Sequence, residues 1–243
     1  MGSSLNYSIP ARSSRKLMTT GSGTTLLARA VRIVPDSRSF SAPLGIAIFS
    51  ETNAEGVTIS EAGVPASSNI QQAVLAVLYA QVSDDASLMQ TGVAIASTSS
   101  APTNVTLELT TLGGGPPVLT GNVTVPANGQ IQMYLNQIRG FENLKSFQGL
   151  LTISAKESAV SVVGLRSRYN ERGDYLVTTI PVASAASYSS GNSTALFPVF
   201  ADGNGYTTQF ILFDTSTVTT GSLSVGNLLF FTPAGQPLNL DVR

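Results

Sequence analysis

Apolar and polar residues alternate along most of this chain in short stretches, which follow one another roughly every 8 to 12 residues and are separated by Gly, Pro, Asn and Ser. This spacing is typical of an all-β sandwich or barrel. The clearest predicted strands are 104–112, 150–165, 174–182 and 207–214. Helical periodicity is nearly absent, and its best candidate is one short turn within residues 134–143. The pattern therefore predicts an all-β fold.

The same pattern occurs twice. A comparison of the chain with itself finds, for most segments, a partner about 117 to 120 positions away. The matched pairs are 7–11 with 123–127, 41–67 with 158–184, 209–217 with 92–100 and 234–240 with 114–120. The N-terminal residues therefore repeat the second half of a central unit, and the C-terminal residues repeat its first half.

Composition narrows the classes of function. The 243 residues are 42% hydrophobic, which is enough for one large or two ordinary all-β domains. Only 11% are charged and the net charge is -1, so electrostatics gives no general reason to expect nucleic-acid binding. The apolar runs are far shorter than the roughly 20 residues of a membrane span. The N-terminus lacks the regions of a signal peptide, and Met1–Ser4 has the composition of a cloning remnant.

Two residue types that carry much of enzyme chemistry are missing. The chain has no cysteine, and therefore no thiolate nucleophile, Cys-based metal site or disulfide. It has no histidine either, which removes the usual general base near neutral pH and the commonest metal ligand. We therefore predict a protein that is not an enzyme, with no catalytic, cofactor-binding or metal-binding residues and no cofactor.

Two loops still resemble binding motifs. The tripeptide Arg172–Asp174 is one that some animal cell-adhesion receptors bind, and we expect it at an exposed hairpin tip. Its repeat counterpart keeps only a glycine, Gly56, so we interpret Gly173 as a turn residue with positive φ and the flanking charges as solvated. Asp202 and Asn204 offer oxygens to Ca²⁺, but such a site needs about six to eight, and we favour a turn.

The remaining candidates favour ordinary structure. The acidic pair Asp84–Asp85 would point to opposite faces of a strand, so we expect a solvated loop. Ser14–Lys16 contains a Ser/Lys pair, for which a polar strand edge is the better interpretation. The glycine-rich segments 21–23 and 113–117 lack the Lys-Ser/Thr and helix of a phosphate-binding loop and read as turns. Four Asn-x-Ser/Thr sequons would be glycosylated only in a secretory pathway: Asn6, Asn104, Asn122 and Asn192.

A family resemblance covers nearly the whole chain. The segments VRIVPDS, LGIAIFS, GVTISEAGVPAS, NVTLELTTLGG, VTVPANGQ and FPVFADGNGYTTQFILFD resemble the tandem immunoglobulin-like repeats found toward the ends of large secreted bacterial proteins. In that family, segments such as FADGGGYTTQ, YSIPA and EAGVPA follow one another within one unit, which agrees with the permuted order found here. The resemblance implies β-sandwich modules that are secreted or on the cell surface and have no known catalysis.

We therefore predict immunoglobulin-like β-sandwiches, with two repeat units of about 120 residues in permuted register. Residues 68–187 form a complete unit, 1–67 the C-terminal half of another and 188–243 an N-terminal half that completes 1–67. The aligned apolar positions predict a central core containing Val123, Val125, Leu151, Ile153, Val162 and Leu165. Their equivalents in the composite unit are Ile9, Ile33, Ile46 and Ile48.

A half sandwich exposes an apolar face and unpaired edges, so the two halves are expected to meet. Seven strands per unit would put the ends of the central unit at opposite poles, roughly 35 to 40 Å apart, and so favour pairing between chains. The resulting hypothesis is an extracellular or cell-surface structural protein, a head-to-tail self-assembling filament subunit. The alternative is a carbohydrate- or surface-binding adhesion module whose ends close internally to give a two-domain monomer.

Overall fold

The computed structural model describes residues 4–26, 28–37, 41–80, 89–184, 195–213 and 226–240. These residues form eleven strands and one 3-10 turn at Leu135–Gln137. The strands are β1 (Ile46–Thr52), β2 (Thr58–Pro65), β3 (Gln72–Ala80), β4 (Met89–Ser97), β5 (Thr103–Thr111), β6 (Leu119–Val125), β7 (Gln130–Tyr134), β8 (Ser146–Ser154), β9 (Val160–Tyr169), β10 (Tyr175–Ile180) and β11 (Ala183–Ser184). The described residues contain no α-helix, and so none that could span a membrane. The all-β prediction is confirmed.

The central strands, β3 to β11, pair as two antiparallel groups. In the first group, β4 lies between β7 and β9, and β10 pairs with β9. In the second group, β3 lies between β11 and β8, and β5 lies between β8 and β6. The two groups meet where β3 passes into β4, at the pair Ala80–Met89. The chain therefore passes from one group to the other between β3 and β4, and it changes group again at several later connections.

One hydrophobic cluster takes alternate residues from both groups, as expected for strands that each turn one face to a shared core. Its fully buried members include Leu75, Val93, Ile95, Leu107, Leu109, Leu151 and Ile153. Burying each such side chain contributes roughly 1.5 to 3 kcal/mol relative to exposing it. The central strands therefore form a two-layer unit with its own core.

The predicted core is largely confirmed. Val125, Leu151, Ile153 and Val162 are buried, and Val123 packs against them. Leu165 is only half-buried, so its assignment to the core is wrong. Its position explains the error: Val162 and Leu165 are three residues apart, which puts them on opposite faces of β9.

The predicted helical turn within 134–143 is present. The Tyr134 N–H donates to the side-chain oxygen of Gln137 at 2.8 Å and so starts the 3-10 turn. The turn carries apolar side chains across one end of the core, where Leu135, Ile138 and Phe141 are fully buried. Gly121 makes this packing possible, because an added Cβ would lie 2.7 Å from Ile138 Cγ2.

The ends of the central unit lie side by side. Ala183 pairs with Val74 and Ser184 with Ala73, so β11 runs antiparallel beside the start of β3. The pairings give β10 and β11 the same direction, and they act as one strand that crosses between the two groups at Pro181. The unit thus has eight alternating strands rather than seven. An even number returns the chain to its starting pole, so the expected separation of the ends at opposite poles is wrong.

The N-terminal segment lies against the central unit. The β1–β2 hairpin packs beside β10, where the Val177 N–H donates to Ser60 Oγ at 2.8 Å. The Thr179 hydroxyl donates to the Gly63 carbonyl at 2.9 Å. Further along the surface, Gln130 Nε2 donates to the Ala28 carbonyl at 2.9 Å.

The C-terminal segment differs from the prediction. The segment 207–214 was predicted as a strand from its β-branched and aromatic residues, but its described part, 207–213, is in no strand. Strand formation needs a neighbouring strand to satisfy the backbone, and propensity alone does not supply one. In the described part of the C-terminal segment, β-type backbone pairing is limited to two isolated bridges, Gly203–Tyr206 and Phe231–Pro237.

The central core yields a stability prediction. Leu151→Ala removes a fully buried side chain and should lower the free energy of unfolding of the central unit by about 2 to 5 kcal/mol. Leu112→Ala is the matched control, because Leu112 is 50% exposed in the same unit, and it should cost less than about 0.5 kcal/mol. Denaturant unfolding followed by circular dichroism measures both. Equal losses would contradict the assigned core.

Candidate assembly interface

Exposed apolar side chains concentrate outside the central unit. We call residues 4–67 the N-terminal arm and residues 195–240 the C-terminal arm. Among the described residues, 19 of the 22 exposed large hydrophobic side chains lie in the two arms, including Leu26 at 93% and Leu44 at 100% exposure. By contrast, the buried hydrophobic residues in the same described ranges lie in the central unit, with the exception of Ala62. The arms thus carry apolar surface that the described residues do not cover.

A turn in the N-terminal arm repeats one in the central unit. In the β9–β10 turn, Asn170 Oδ1 accepts from the N–H groups of Arg172 at 3.0 Å and Asp174 at 2.8 Å, and Gly173 has a φ of 81°. In the β1–β2 turn, Asn53 Oδ1 accepts from Glu55 and Val57, and Gly56 also has a φ of 81°. The prediction that this glycine occupies a positive-φ turn position is confirmed.

A second shared turn begins at a proline. The Gly129 N–H donates to the Pro126 carbonyl at 2.9 Å, and Asn128 between them has a φ of 53°. In the N-terminal arm the Ser13 N–H donates to the Pro10 carbonyl at 3.2 Å, and Arg12 has a φ of 63°. A left-handed backbone is uncommon at a non-glycine residue, so its presence at the same place in both turns is informative.

A third pair links the C-terminal arm to the β5–β6 turn. There, the Gly114 N–H donates to the Thr111 carbonyl at 3.0 Å, and Gly114 has a φ of 78°. In the arm, the Gly235 N–H donates to the Thr232 carbonyl at 2.9 Å, and Gly235 has a φ of 76°. By this geometry Gly235 is equivalent to Gly114, whereas the sequence alignment pairs it with Gly115. The difference arises because the β5–β6 loop is one residue longer than the corresponding loop of the arm.

The arms differ from the central unit in strand pairing. β1 pairs with β2 on one edge, and all seven residues of β1 are exposed. Ile46 and Ile48, predicted to occupy core-like positions, are 69% and 61% exposed. The other two predicted equivalents, Ile9 and Ile33, are half-buried. Among the described residues, no strand joins the N-terminal arm to the C-terminal arm.

The C-terminal arm nevertheless has a small aromatic cluster. Phe210 packs edge-on against Phe230, with ring centroids 5.7 Å apart, and against Phe197 at 5.4 Å. Phe200 contacts both Phe210 and Phe230. Such edge-to-face pairs contribute roughly 0.5 to 1.5 kcal/mol beyond area burial. The cluster holds the two segments of the arm, near residues 210 and 230, together.

The adhesion-like tripeptide is stabilised by its own turn. Arg172 Nε donates to Asp174 Oδ2 at 3.0 Å, and Asn170 Nδ2 donates to the same oxygen at 2.9 Å. The hydrogen bond from Asn170, followed by that from Arg172, lowers the pKa of Asp174 below its ordinary value. The charged pair is therefore engaged internally.

A tyrosine cluster connects β7 to β9 and β10. The hydroxyls of Tyr134 and Tyr175 contact each other, and the Ser167 hydroxyl donates to Tyr134 Oη at 3.1 Å. The rings of Tyr169 and Tyr175 lie 5.2 Å apart. Burial raises the pKa of Tyr175 to about 12, with Ser167 opposing this effect and Tyr134 adding to it. These contacts stabilise the central unit.

The other candidate residues that the structure describes belong to a turn or to an exposed segment. The loop with Asp202 and Asn204 forms the predicted turn, closed by mutual hydrogen bonds between Gly203 and Tyr206. Ser14–Lys16 is exposed and in no strand. Within the part of the chain that the structure describes, no three acidic residues gather as metal ligands. Asp84–Asp85 and Asn192 lie outside the described residues.

Comparisons with known proteins assign this chain to no family. No protein-family model matches the chain. No curated protein matches it either. The crystal structure of Thermotoga maritima 1070 is similar over 46% of this chain and 92% of that chain, at 10% sequence identity and a TM-score of 0.38.

The paired turns can be tested with glycine substitutions. Gly173→Ala places a side chain at a φ of 81° and should destabilise the central unit by about 1 to 2 kcal/mol. Gly56→Ala imposes the same strain on the β1–β2 hairpin and should leave the central unit unaffected. Gly113→Ala, where an added Cβ would lie 3.9 Å from the nearest atom, is the unstrained control. A large effect of Gly56→Ala on unfolding of the central unit would contradict this separation.

The tyrosine cluster predicts an alkaline instability. The folded pKa of Tyr175, about 12, is above the unfolded value of about 10. Its contribution to stability is thus complete below about pH 10 and is lost as the pH rises to about 12. Tyr175→Phe should reduce this pH dependence. Denaturant unfolding at several alkaline pH values measures the difference, and identical pH profiles for wild type and Tyr175→Phe would contradict the assignment.

Proposed function

We propose that this protein is a non-enzymatic structural subunit that assembles head to tail, by pairing the C-terminal arm of one copy with the N-terminal arm of the next. The two arms together then form a second sandwich related to the central unit. Repetition of the contact gives a filament, because a heterologous contact does not close unless its rotation forms a ring. In line with the sequence resemblance, we place the filament outside the cell or on its surface.

The observation that carries this proposal is the combination of repeated turns and exposed apolar surface in the arms. Three turns in the arms have the hydrogen bonds and positive-φ residues of their counterparts in the central unit. Leu212 is 67% exposed, whereas its central counterpart Ile95 is fully buried, and the arms also expose Leu44 and Ile46. Joining two arms would cover this surface and supply the missing strand neighbours.

The proposed sandwiches are immunoglobulin-like in part of their strand pairing. If β3 to β9 are equated with strands A to G, the pairings β4–β7 and β5–β8 agree with the B–E and C–F pairs of that fold. By contrast, β3 pairs with β8, β9 with β4 and β6 with β5, so the counterparts of strands A, G and D each lie in the other sheet. The relationship therefore rests on two-layer packing and on part of the topology.

A second candidate function is favoured by the adjacent ends of the central unit. Because β11 lies beside β3, both arms leave from the same pole, and the arms of a single chain could meet. The product would be a two-domain monomer, for which a carbohydrate- or surface-binding adhesion role is the alternative. The two candidates differ in one property: the filament needs other copies, whereas the monomer does not.

Assembly is tested by sedimentation and electron microscopy of the unaltered protein. We expect polymers that resist dilution and salt, because apolar burial and strand pairing would hold the contact rather than charge. Such a junction should bury more than the roughly 2,000 Å² at which obligate interfaces begin. Removing residues 207–243 should abolish polymerisation.

The control reconnects the arms in repeat order. Moving residues 188–243 ahead of residue 1 should give a self-sufficient monomer, because the composite sandwich then folds within one chain. This rearranged chain has the same composition as the original, so a change in solubility alone would not explain its loss of assembly. A 25.2 kDa monomer at high concentration for the unaltered protein would instead support internal closure.

A further inference from the structure

The open edge of β1 has a defined missing neighbour. β1 corresponds to the second half of β9, which uses both of its edges: β10 pairs along one and β4 along the other. β2 occupies the edge of β1 that corresponds to β10. The edge that corresponds to β4 is therefore the one left without a strand among the described residues.

The counterpart of β4 lies in the C-terminal arm. The repeat aligns β4 with residues 206–214, of which 206–213 are described. Phe210 and Leu212 correspond to Val93 and Ile95, which are fully buried. The arm segment has the apolar alternation of a strand, but apart from the isolated bridge of Tyr206 to Gly203 it is in no ladder, and Leu212 is 67% exposed.

We propose that residues 206–213 of a second copy pair antiparallel with the open edge of β1, with Phe210 opposite Ala47 and Gln209 opposite Ile48. This register deepens the proposed function and rests on it. It transfers the observed β4–β9 pairs Val93–Gly164 and Gly92–Leu165 to the composite unit.

The side chains fit this register. Phe210 is larger than Val93, and the residue that it would oppose, Ala47, is small. Leu212 would oppose Gly45, so both apolar side chains of the incoming strand have little bulk opposite them on the inner face. A shift by one residue would turn Phe210 and Leu212 to the outer face and Gln209 to the core. Apolar burial therefore favours the proposed register over its nearest competitor.

A second neighbour follows from the same transfer. β4 also pairs with β7, where Gly92 lies opposite Tyr134. The N-terminal counterpart of β7 is residues 14–18, and Met18 is 84% exposed there. The incoming strand would thus lie between two segments of the recipient's N-terminal arm. Because the C-terminal arm of the same chain lies outside this ladder, the edge is open to another copy.

Disulfide cross-linking tests the register, because the chain has no native cysteine. Directly opposed residues in an antiparallel ladder have Cα atoms about 4.5 to 5.5 Å apart, within the range for a disulfide. We therefore pair Ile48→Cys with Gln209→Cys. The matched control pairs Ser50→Cys with Gln209→Cys, which is diagonal in this register at about 7 to 8 Å.

The single-cysteine chains are mixed in equal amounts, allowed to assemble under reductant and then oxidised. We expect Ile48→Cys with Gln209→Cys to give a covalent species of about twice 25.2 kDa, several-fold more abundant than in the Ser50→Cys control. The double variant, Ile48→Cys with Gln209→Cys in one chain, should form a series of covalent multimers of increasing size.

Three results would overturn the proposal, and they differ from one another. If the unaltered protein does not assemble, both the proposed function and this inference are wrong. If it assembles but the Ser50→Cys control cross-links equally or better, the register alone is wrong. If the double variant forms a disulfide within one chain and the mixed single variants form none, the occupant of the β1 edge is the chain's own arm.

Discussion

A β-strand edge presents backbone N–H and C=O groups that need a partner, and among the described residues β1 has a strand partner along one edge only, through β2. Its counterpart in the central unit, β9, has a strand on each side, and its inner face covers the shared core. In the N-terminal arm the same kind of strand has one neighbour and seven exposed residues. The proposed pairing would give the open edge of β1 and the unpaired segment 207–213 a neighbour each, and would cover apolar surface in both arms.

Local features of the fold could be predicted from the sequence. Gly56 and Gly173 were predictable as positive-φ turn residues because the glycine is what the two aligned copies share, and a tight turn is specified by a few neighbouring residues. The helical turn near Tyr134 and most of the central core were likewise predictable from short-range pattern. The error at Leu165 arose from neglecting strand alternation, a rule that the sequence itself supplies.

Non-local features could not be predicted in this way. The crossing of the chain between sheets at Pro181 adds a two-residue strand, β11, too short to give a periodic signal, yet it decides where the unit ends. The segment 207–213 has a strong strand composition, but its state depends on a partner elsewhere. The sequence predicted that two half units would form the candidate interface. It could not show which edge of β1 is open, because that depends on β2 occupying the other edge.

The adjacent ends of the central unit have a mechanical consequence. If tension passed along an assembly of such subunits, it would enter at β3 and leave at β11 without crossing the body of the central unit. The force would act on the contact of Ala73 and Val74 with Ser184 and Ala183, peeling one short strand from its neighbour. The large core would lie to one side of the line of force and would bear little of the load. Extension under load would then begin with release of this small contact while the core stayed folded.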